Sequence, residues 1–145
     1  MPLLSRKGVL AVAAVIDVAL QPQGHPISAK ALAARHRLPP RHLEPVLQAL
    51  VRCGILKGIR GPRGGYELAR DRRRVTANDI LRAAGSVDDF DKSHAGSDLL
   101  NKIVLPTMAH AEHEFGKALA RISVEDMTRA ARAMDKADAR SNVRT

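Results

Sequence analysis

"ISAKALAARHRLPPRHLEPVLQALVRCGILKGIRGPRGGYELAR", residues 27–70, is the stretch whose reading decides the fold. Ser28 is a good N-cap for a short helix, and Ile27 and Leu32 flank it at the spacing of a hydrophobic staple. That helix is expected to stop near His36. "RLPP" then turns the chain, and Pro40 or Arg41 opens a second helix to about Arg52, with Leu43, Val46, Leu47, Leu50 and Val51 on one apolar face. Arg41, Pro45, Gln48 and Arg52 fall on the opposite face. Pro45 removes one backbone hydrogen bond close to the helix start, which predicts a slight kink and no break. Gly54 ends the helix, and two short strands, about 56–60 and 66–70, follow. The loop between them, "RGPRGGY" (residues 60–66), is tight, glycine-kinked and cationic.

Outward from this stretch the pattern is mainly helical. Towards the N-terminus, residues 6–20 carry Val9, Val12, Ala13, Ile16 and Leu20 at helical spacing, closed by Pro22 and Gly24. The run is apolar enough to resemble a signal peptide. However, Asp17 interrupts it, no cleavage site ends it and it is too short to span a bilayer, so a buried helix is expected. Towards the C-terminus, Thr76 begins a helix with the capping-box pattern "TAND", carrying Ile80, Leu81 and Ala84 and closed by Gly85. Residues 86–98 read as a polar connector. A long helix is expected from about Leu99 to Ile122, on which Val104, Met108, Ala111, Phe115, Ala118 and Ile122 form a heptad seam. A chain of this size has little left to cover such a seam, so a partner helix from a second copy is the simplest cover, helped by the first helix. "SVED" at 123 caps a last short helix with Val124, Met127 and Met134, and the charged tail from Asp135 is expected to be disordered.

The fold class that follows is mainly α with a small β-hairpin wing: a winged helix-turn-helix and a long dimerisation helix. The expected organisation is a winged helix-turn-helix DNA-binding domain over 1–85, a connector over 86–98, the dimerisation helix and short C-terminal helix over 99–134, and a disordered tail over 135–145. The chain has 145 residues, enough for one such domain with an appendage.

Charge points the same way. Lys and Arg number 24 against 15 acids, giving a net charge of +9 and favouring polyanionic partners. Cys53 is the single cysteine, which excludes a disulfide framework or a multi-cysteine metal cluster within one chain and fits a reducing cytoplasm. No nucleophile elbow, phosphate loop, HExxH pair or other catalytic signature is present, so no enzyme is expected.

In a helix-turn-helix the second helix enters the major groove, about 12 Å wide, with its N-terminal side chains near base edges. Arg41, His42 and Gln48 can offer hydrogen-bonding groups there. Ser28 at a helix N-terminus can meet a phosphate, with Lys30 in the same first turn. The hairpin loop is then a wing, whose glycines let the backbone approach closely and whose Arg60 and Arg63 suit a narrow minor groove.

At these residues the chain resembles the small bacterial winged helix-turn-helix regulators of the IscR, NsrR and CymR type. "HLE", "GIL", "RGPRGGYELAR" and the later "ISVED" carry the resemblance, over roughly residues 3–134. It implies a homodimeric transcription factor, commonly a repressor, that binds a pseudo-palindromic operator in double-stranded DNA, with Arg41, Glu44 and Arg60 as positions of base and groove contact. Members with an iron–sulfur cluster carry three cysteines in the connector before the dimerisation helix. Here "VDDFDKSHAGSDLLN" has none, so no cluster and no other cofactor is expected.

Some readings stay open beside this one. Cys53, at the end of the recognition helix, is either a structural small residue or a thiol whose oxidation disturbs DNA binding. His110 and His113 lie one turn apart with His94 upstream, which is either a solvated helix face or a group that a dimer gathers around a metal; no metal site is assigned. "GPRG" at 61 matches an RNA-binding GxxG loop, but that loop joins two helices and this one joins strands. A non-specific architectural DNA-binding dimer is the main alternative function.

Overall fold

The computed structural model describes residues 5–85 and 97–143. Helices α1 (Arg6–Leu20), α2 (Ala29–Arg35) and α3 (Pro40–Arg52) are followed by strands β1 (Leu56–Ile59) and β2 (Gly65–Leu68) and helix α4 (Ala77–Ala83). A π-helical turn (Leu100–Val104) then leads into α5 (Leu105–Ala120), and α6 (Val124–Val143) closes the chain. The architecture is a winged helix-turn-helix with two C-terminal helices, as the pattern of periods predicts.

Local signals account for the element ends. The Ser28 hydroxyl accepts from the Ala31 amide at 3.1 Å, and both Ile27 and Leu32 are buried. Thr76 and Asp79 form a reciprocal capping box on α4, at 3.2 and 3.1 Å. Ser123 and Asp126 do the same on α6, at 3.0 and 3.1 Å. The Ser123 amide and hydroxyl hold the Asp126 carboxyl below the usual aspartate range.

One core collects the inner faces of α1, α2, α3 and α4, the hairpin and Val124 at the start of α6. Leu32 from α2, Leu43, Val46, Leu47 and Leu50 from α3, Ile55 and Leu56 beside β1, and Val75 and Ile80 around α4 are all buried. The predicted apolar face of α3 is the buried one, with Ala49 added and Val51 half-buried. The α1 face differs from the expectation. Ala11, Ala14, Val15, Val18 and Ala19 turn inward, whereas Val9 is 50% exposed and Val12, Ala13, Ile16 and Leu20 are half-buried. An alanine-rich helix is apolar around most of its circumference, so periodicity alone cannot choose the side, and the small side chains let α1 lie close to its neighbours.

Two long-range seams join the parts. The backbone of Ile27 pairs with Tyr66 through hydrogen bonds of 3.2 and 2.8 Å, which lays the wing against the start of α2. At the other end, residues 72–77 pair with 122–125 through Glu125 N to Arg72 O (3.1 Å), Val124 N to Val75 O (2.8 Å) and Ala77 N to Ile122 O (2.9 Å). An Arg72–Glu125 ion pair of 2.5 Å reinforces the second seam.

Three boundaries depart from the expected ones. The strands are each four residues long and leave Arg60 and Arg70 outside them. The long helix begins with a π turn, because Pro106 has no amide hydrogen for the preceding turn; Leu105 N bonds Leu100 O, and the Thr107 hydroxyl donates to Ile103 O at 2.6 Å. The last helix continues to Val143, through most of the tail for which the sequence pattern predicts disorder. Its alanine, lysine and arginine content favours helix once the capping box and Val124 anchor the first turn. Residues 86–96, including His94 and most of the connector, lie outside the described residues.

Candidate nucleic-acid interface

Three elements present the predicted side chains to solvent on a rigid frame. On α3, Arg41, Glu44 and Gln48 are exposed at spacings of three and four and share one stripe, which Arg52 continues. His42 is exposed on its flank. Lys30 is exposed on α2, and Arg60 and Arg63 are exposed on the wing. Ser28 is exposed but its hydroxyl oxygen already caps α2, leaving its hydrogen to donate. Between residues 27 and 70 the only acids are Glu44 and Glu67, and Glu67 lies 3.7 Å from Lys57. Among the described residues, Arg41, Glu44, Arg60 and Arg63 form no ion pair, so their charges are available to a partner.

The turn joining α2 to α3 is built tightly. Leu38 N bonds Ala33 O at 2.9 Å and Arg37 N bonds Ala34 O at 3.2 Å, a Schellman closure with Arg37 in the left-handed region at φ 55°. Glycine is the usual occupant of that position, and Arg37 places an exposed cation at the turn instead. Pro39 and Pro40 follow and set the start of α3. Asp17 of α1 fixes the end of α2 from behind, at 3.1 Å from Arg35 and 2.5 Å from His36.

The wing tip is a four-residue turn closed by Gly64 N to Gly61 O at 2.9 Å, with Pro62 and Arg63 at its centre. Gly65 matters more to the frame. Its φ is 156°, and an added Cβ would lie 2.4 Å from both the carbonyl carbon and oxygen of Ile27 and 2.7 Å from Ser28 N. Only glycine lets the wing strand lie this close to the α2 N-terminus, against which the Ile27–Tyr66 bridge holds it. Arg70 completes the frame by donating to the carbonyls of Gly54 (3.0 Å) and Cys53 (3.2 Å) at the end of α3. Neither role is readable from the linear pattern, since each joins residues distant in sequence; "GGYELAR" signals only a hairpin.

The remaining candidates are not brought to this surface as a group. Cys53 is exposed at the C-cap of α3. His110 and His113 are exposed on α5, and among the described residues no set of three or more His, Cys, Asp or Glu side chains is placed to hold a metal ion. The expected seam lies bare in the single chain: Val104, Met108, Ala111, Ala118 and Ile122 are exposed, and Phe115 is half-buried. Among the described residues no helix is long and apolar enough to cross a membrane.

A winged helix-turn-helix with a cationic wing and a solvent-facing recognition helix defines a transcription-factor module. Residues 4–130 match the Rrf2 family, described as an iron-dependent transcriptional regulator, and the chain belongs to that family. It is 35% identical over 126 residues to an HTH-type transcriptional regulator of Synechocystis, covering 86% of each chain. It is 32% identical to the HTH-type transcriptional regulator IscR of Photobacterium profundum, over 66% of this chain and 55% of that one. Among solved structures, T. potens IscR superposes with a TM-score of 0.67 at 29% identity, over 88% of this chain and 86% of that one. CymR, the global cysteine regulator of B. subtilis, gives 0.66 at 25% identity, over 87% and 95%. The chain is a transcriptional regulator and not an enzyme.

Proposed function

We propose that the protein is a sequence-specific, cytoplasmic repressor that binds a pseudo-palindromic operator as a homodimer, with no iron–sulfur cluster. The observation that supports this reading is the frame in which the wing packs on the α2 N-terminus at Gly65 and on the end of α3 through Arg70, with Arg41, Glu44, Gln48 and Arg60 exposed on it. Arg41 and Gln48 read base edges in the major groove, Glu44 accepts from a cytosine amine, and Arg60 enters the adjacent minor groove. Ser28, Lys30, His42 and Arg63 hold the phosphates that set register. The exposed seam along α5, from Val104 just before it to Ile122 just after it, meets the same seam of a second copy. Two recognition helices then lie about 34 Å apart, and half-sites are centred one helical turn apart or a multiple of it.

Iron enters through the family description, and the donor set does not fit a cluster held by three cysteines: the whole chain holds one, Cys53, on the recognition helix. The test is selection of bound fragments from genomic DNA, followed by affinity for the selected site and for bulk DNA at one salt concentration. A preference of at least about a thousandfold, from protein purified without oxygen and colourless, is the expected outcome. A ratio near one supports the architectural alternative.

A further inference from the structure

The charge on α6 is sorted by face in a way that helix stability does not call for. Arg132, Lys136 and Arg140 recur at intervals of four, so they form one stripe about 12 Å long, and all three are exposed. Like charges at this spacing destabilise a helix, and here two such pairs occur in succession. Asp138 falls on the other side of the helix, and Asp135, three residues after Arg132, forms no ion pair with it. Among the described residues, none of the three cations has an acidic partner, whereas Arg129 just before them is engaged by Glu125 and Asp126 at 3.6 and 3.8 Å.

The stripe runs into a second basic surface. Arg132 lines an open cleft together with Arg70, Arg72 and Arg73 at the base of the wing. The three acids of that cleft are already paired, Asp71 with Arg73 at 3.3 Å, Glu125 with Arg72 at 2.5 Å and Glu67 with Lys57 at 3.7 Å. Arg70 is held by carbonyls, not by an acid, so its charge and that of Arg132 are left over. The cleft lies at the base of the hairpin, so the stripe and the wing belong to one continuous basic surface. An extended cationic stripe suits the phosphate backbone of a duplex. Over about 12 Å a duplex carries roughly seven phosphate charges.

We propose that Arg132, Lys136 and Arg140 form a second DNA contact, binding the phosphates that flank each operator half-site. Most of the stripe's neighbours in the first domain serve the scaffold, but the stripe itself lies beyond residue 130, where the match to the family ends. The occupant is duplex backbone and not a small anion, because the surface is extended, ungated and carries no enclosing wall. This inference rests on the proposed operator binding, and its test separates the two.

The triple variant Arg132→Gln, Lys136→Gln, Arg140→Gln keeps good helix formers and is compared with the wild type on two duplexes. One ends at the outer edges of the half-sites, and the other extends about one helical turn beyond each edge. The expected result is equal affinity on the short duplex, a loss of about tenfold or more on the long one at low salt, and a salt slope on the long duplex lower by about 2–3 per protomer. The double variant Arg132→Lys, Arg140→Lys should bind both like the wild type. Equal losses on both duplexes, or no loss on either, would overturn the flanking contact. So would dissociation of the dimer in sedimentation, which makes the stripe a subunit contact, or competition by citrate that lowers wild-type affinity for the short duplex as much as for the long one. Failure of the wild type to prefer the short operator duplex over bulk DNA instead overturns the operator reading, and this inference with it.

Discussion

Helices α3 and α5 each carry apolar residues at helical spacing, and these meet opposite fates. α3, 13 residues long, buries Leu43, Val46, Leu47, Ala49 and Leu50 against its own chain. α5, 16 residues long, buries none of its residues, and the π turn before it leaves Leu99 and Ile103 at 66% and 59% exposure. Periodicity states that a helix has an apolar face; it does not state which molecule covers that face. The first region is finished within one chain, and the second lies bare in the single chain, which gives the comparison a direct experimental edge.

The largest effect is expected where the unfinished region is charged. Met108 is 57% exposed in the single chain, so Met108→Glu leaves the chain's own core intact. In a dimer through α5 the same carboxylate is buried without a partner, at a cost of about 3–5 kcal/mol per buried charge. Sedimentation equilibrium should show monomer at concentrations where the wild type is dimeric, with unchanged far-UV circular dichroism. A variant that stays dimeric removes α5 as the dimer contact. Met108 is a sharper probe than Phe115, which is half-buried against its own chain and would confound association with folding.

Gly65 probes the finished region. A methyl group there meets the Ile27 carbonyl at 2.4 Å, and backbone at that distance must shift. Gly65→Ala is expected to lose about 1–3 kcal/mol of stability, the usual cost of overpacking, without changing the association measured for α5. Thermal and denaturant unfolding check the first part and sedimentation the second. If Gly65→Ala unfolds like the wild type, the hairpin is free to move away from α2 and the frame is not rigid.

The same contrast explains how much could be read in advance. Caps and turns are local, so Ser28, Thr76 with Asp79, and Pro62 within the wing turn are legible from a few neighbouring residues. The outward stripe of α3 is legible for a similar reason, because a helix with five large aliphatic residues on one side leaves no doubt about the other. Arg70 on the Cys53 and Gly54 carbonyls, and Gly65 on Ile27, are contacts across 16 to 38 residues of chain that no local pattern encodes. The face of α1 failed because alanine offers no contrast between sides. The extent of α6 is not legible because a charged segment reads as polar enough to stay unfolded, whereas its composition also suits a helix anchored at one end.

Within the wing, Arg60 and Arg63 should separate by mechanism. Arg60 follows the last residue of β1, where the ladder fixes the backbone, and Arg63 sits in the turn. Arg60→Ala is expected to cost about 1–3 kcal/mol of operator binding, more with A·T-rich than with G·C-rich flanks, because narrow minor grooves favour an inserted guanidinium. Arg63→Ala should weaken all sequences alike and lower the salt slope by about one per lost phosphate contact. Titrations on both operators at two salt concentrations distinguish these outcomes. Wild-type binding by both variants would leave the loop as a hairpin turn only.

The smallest effect is a gain. Arg37 is the only described non-glycine residue with positive φ, at 55°, where the Cβ of an L-residue crowds the backbone at a cost of about 1–2 kcal/mol. Arg37→Gly relieves that crowding but frees the unfolded chain, which offsets part of the gain, so a net stabilisation of up to about 1 kcal/mol is expected. The Schellman closure itself should persist, because Leu38 N to Ala33 O and Arg37 N to Ala34 O are backbone bonds that any residue can make. The melting temperature should therefore rise by a few degrees while affinity for non-operator DNA falls at low salt, since one exposed cation is lost beside the recognition helix. The pairing of the two results is what matters. A rise in stability without any loss of DNA affinity makes Arg37 a strained residue with no role in binding, and a fall in stability means that its side chain holds the turn together.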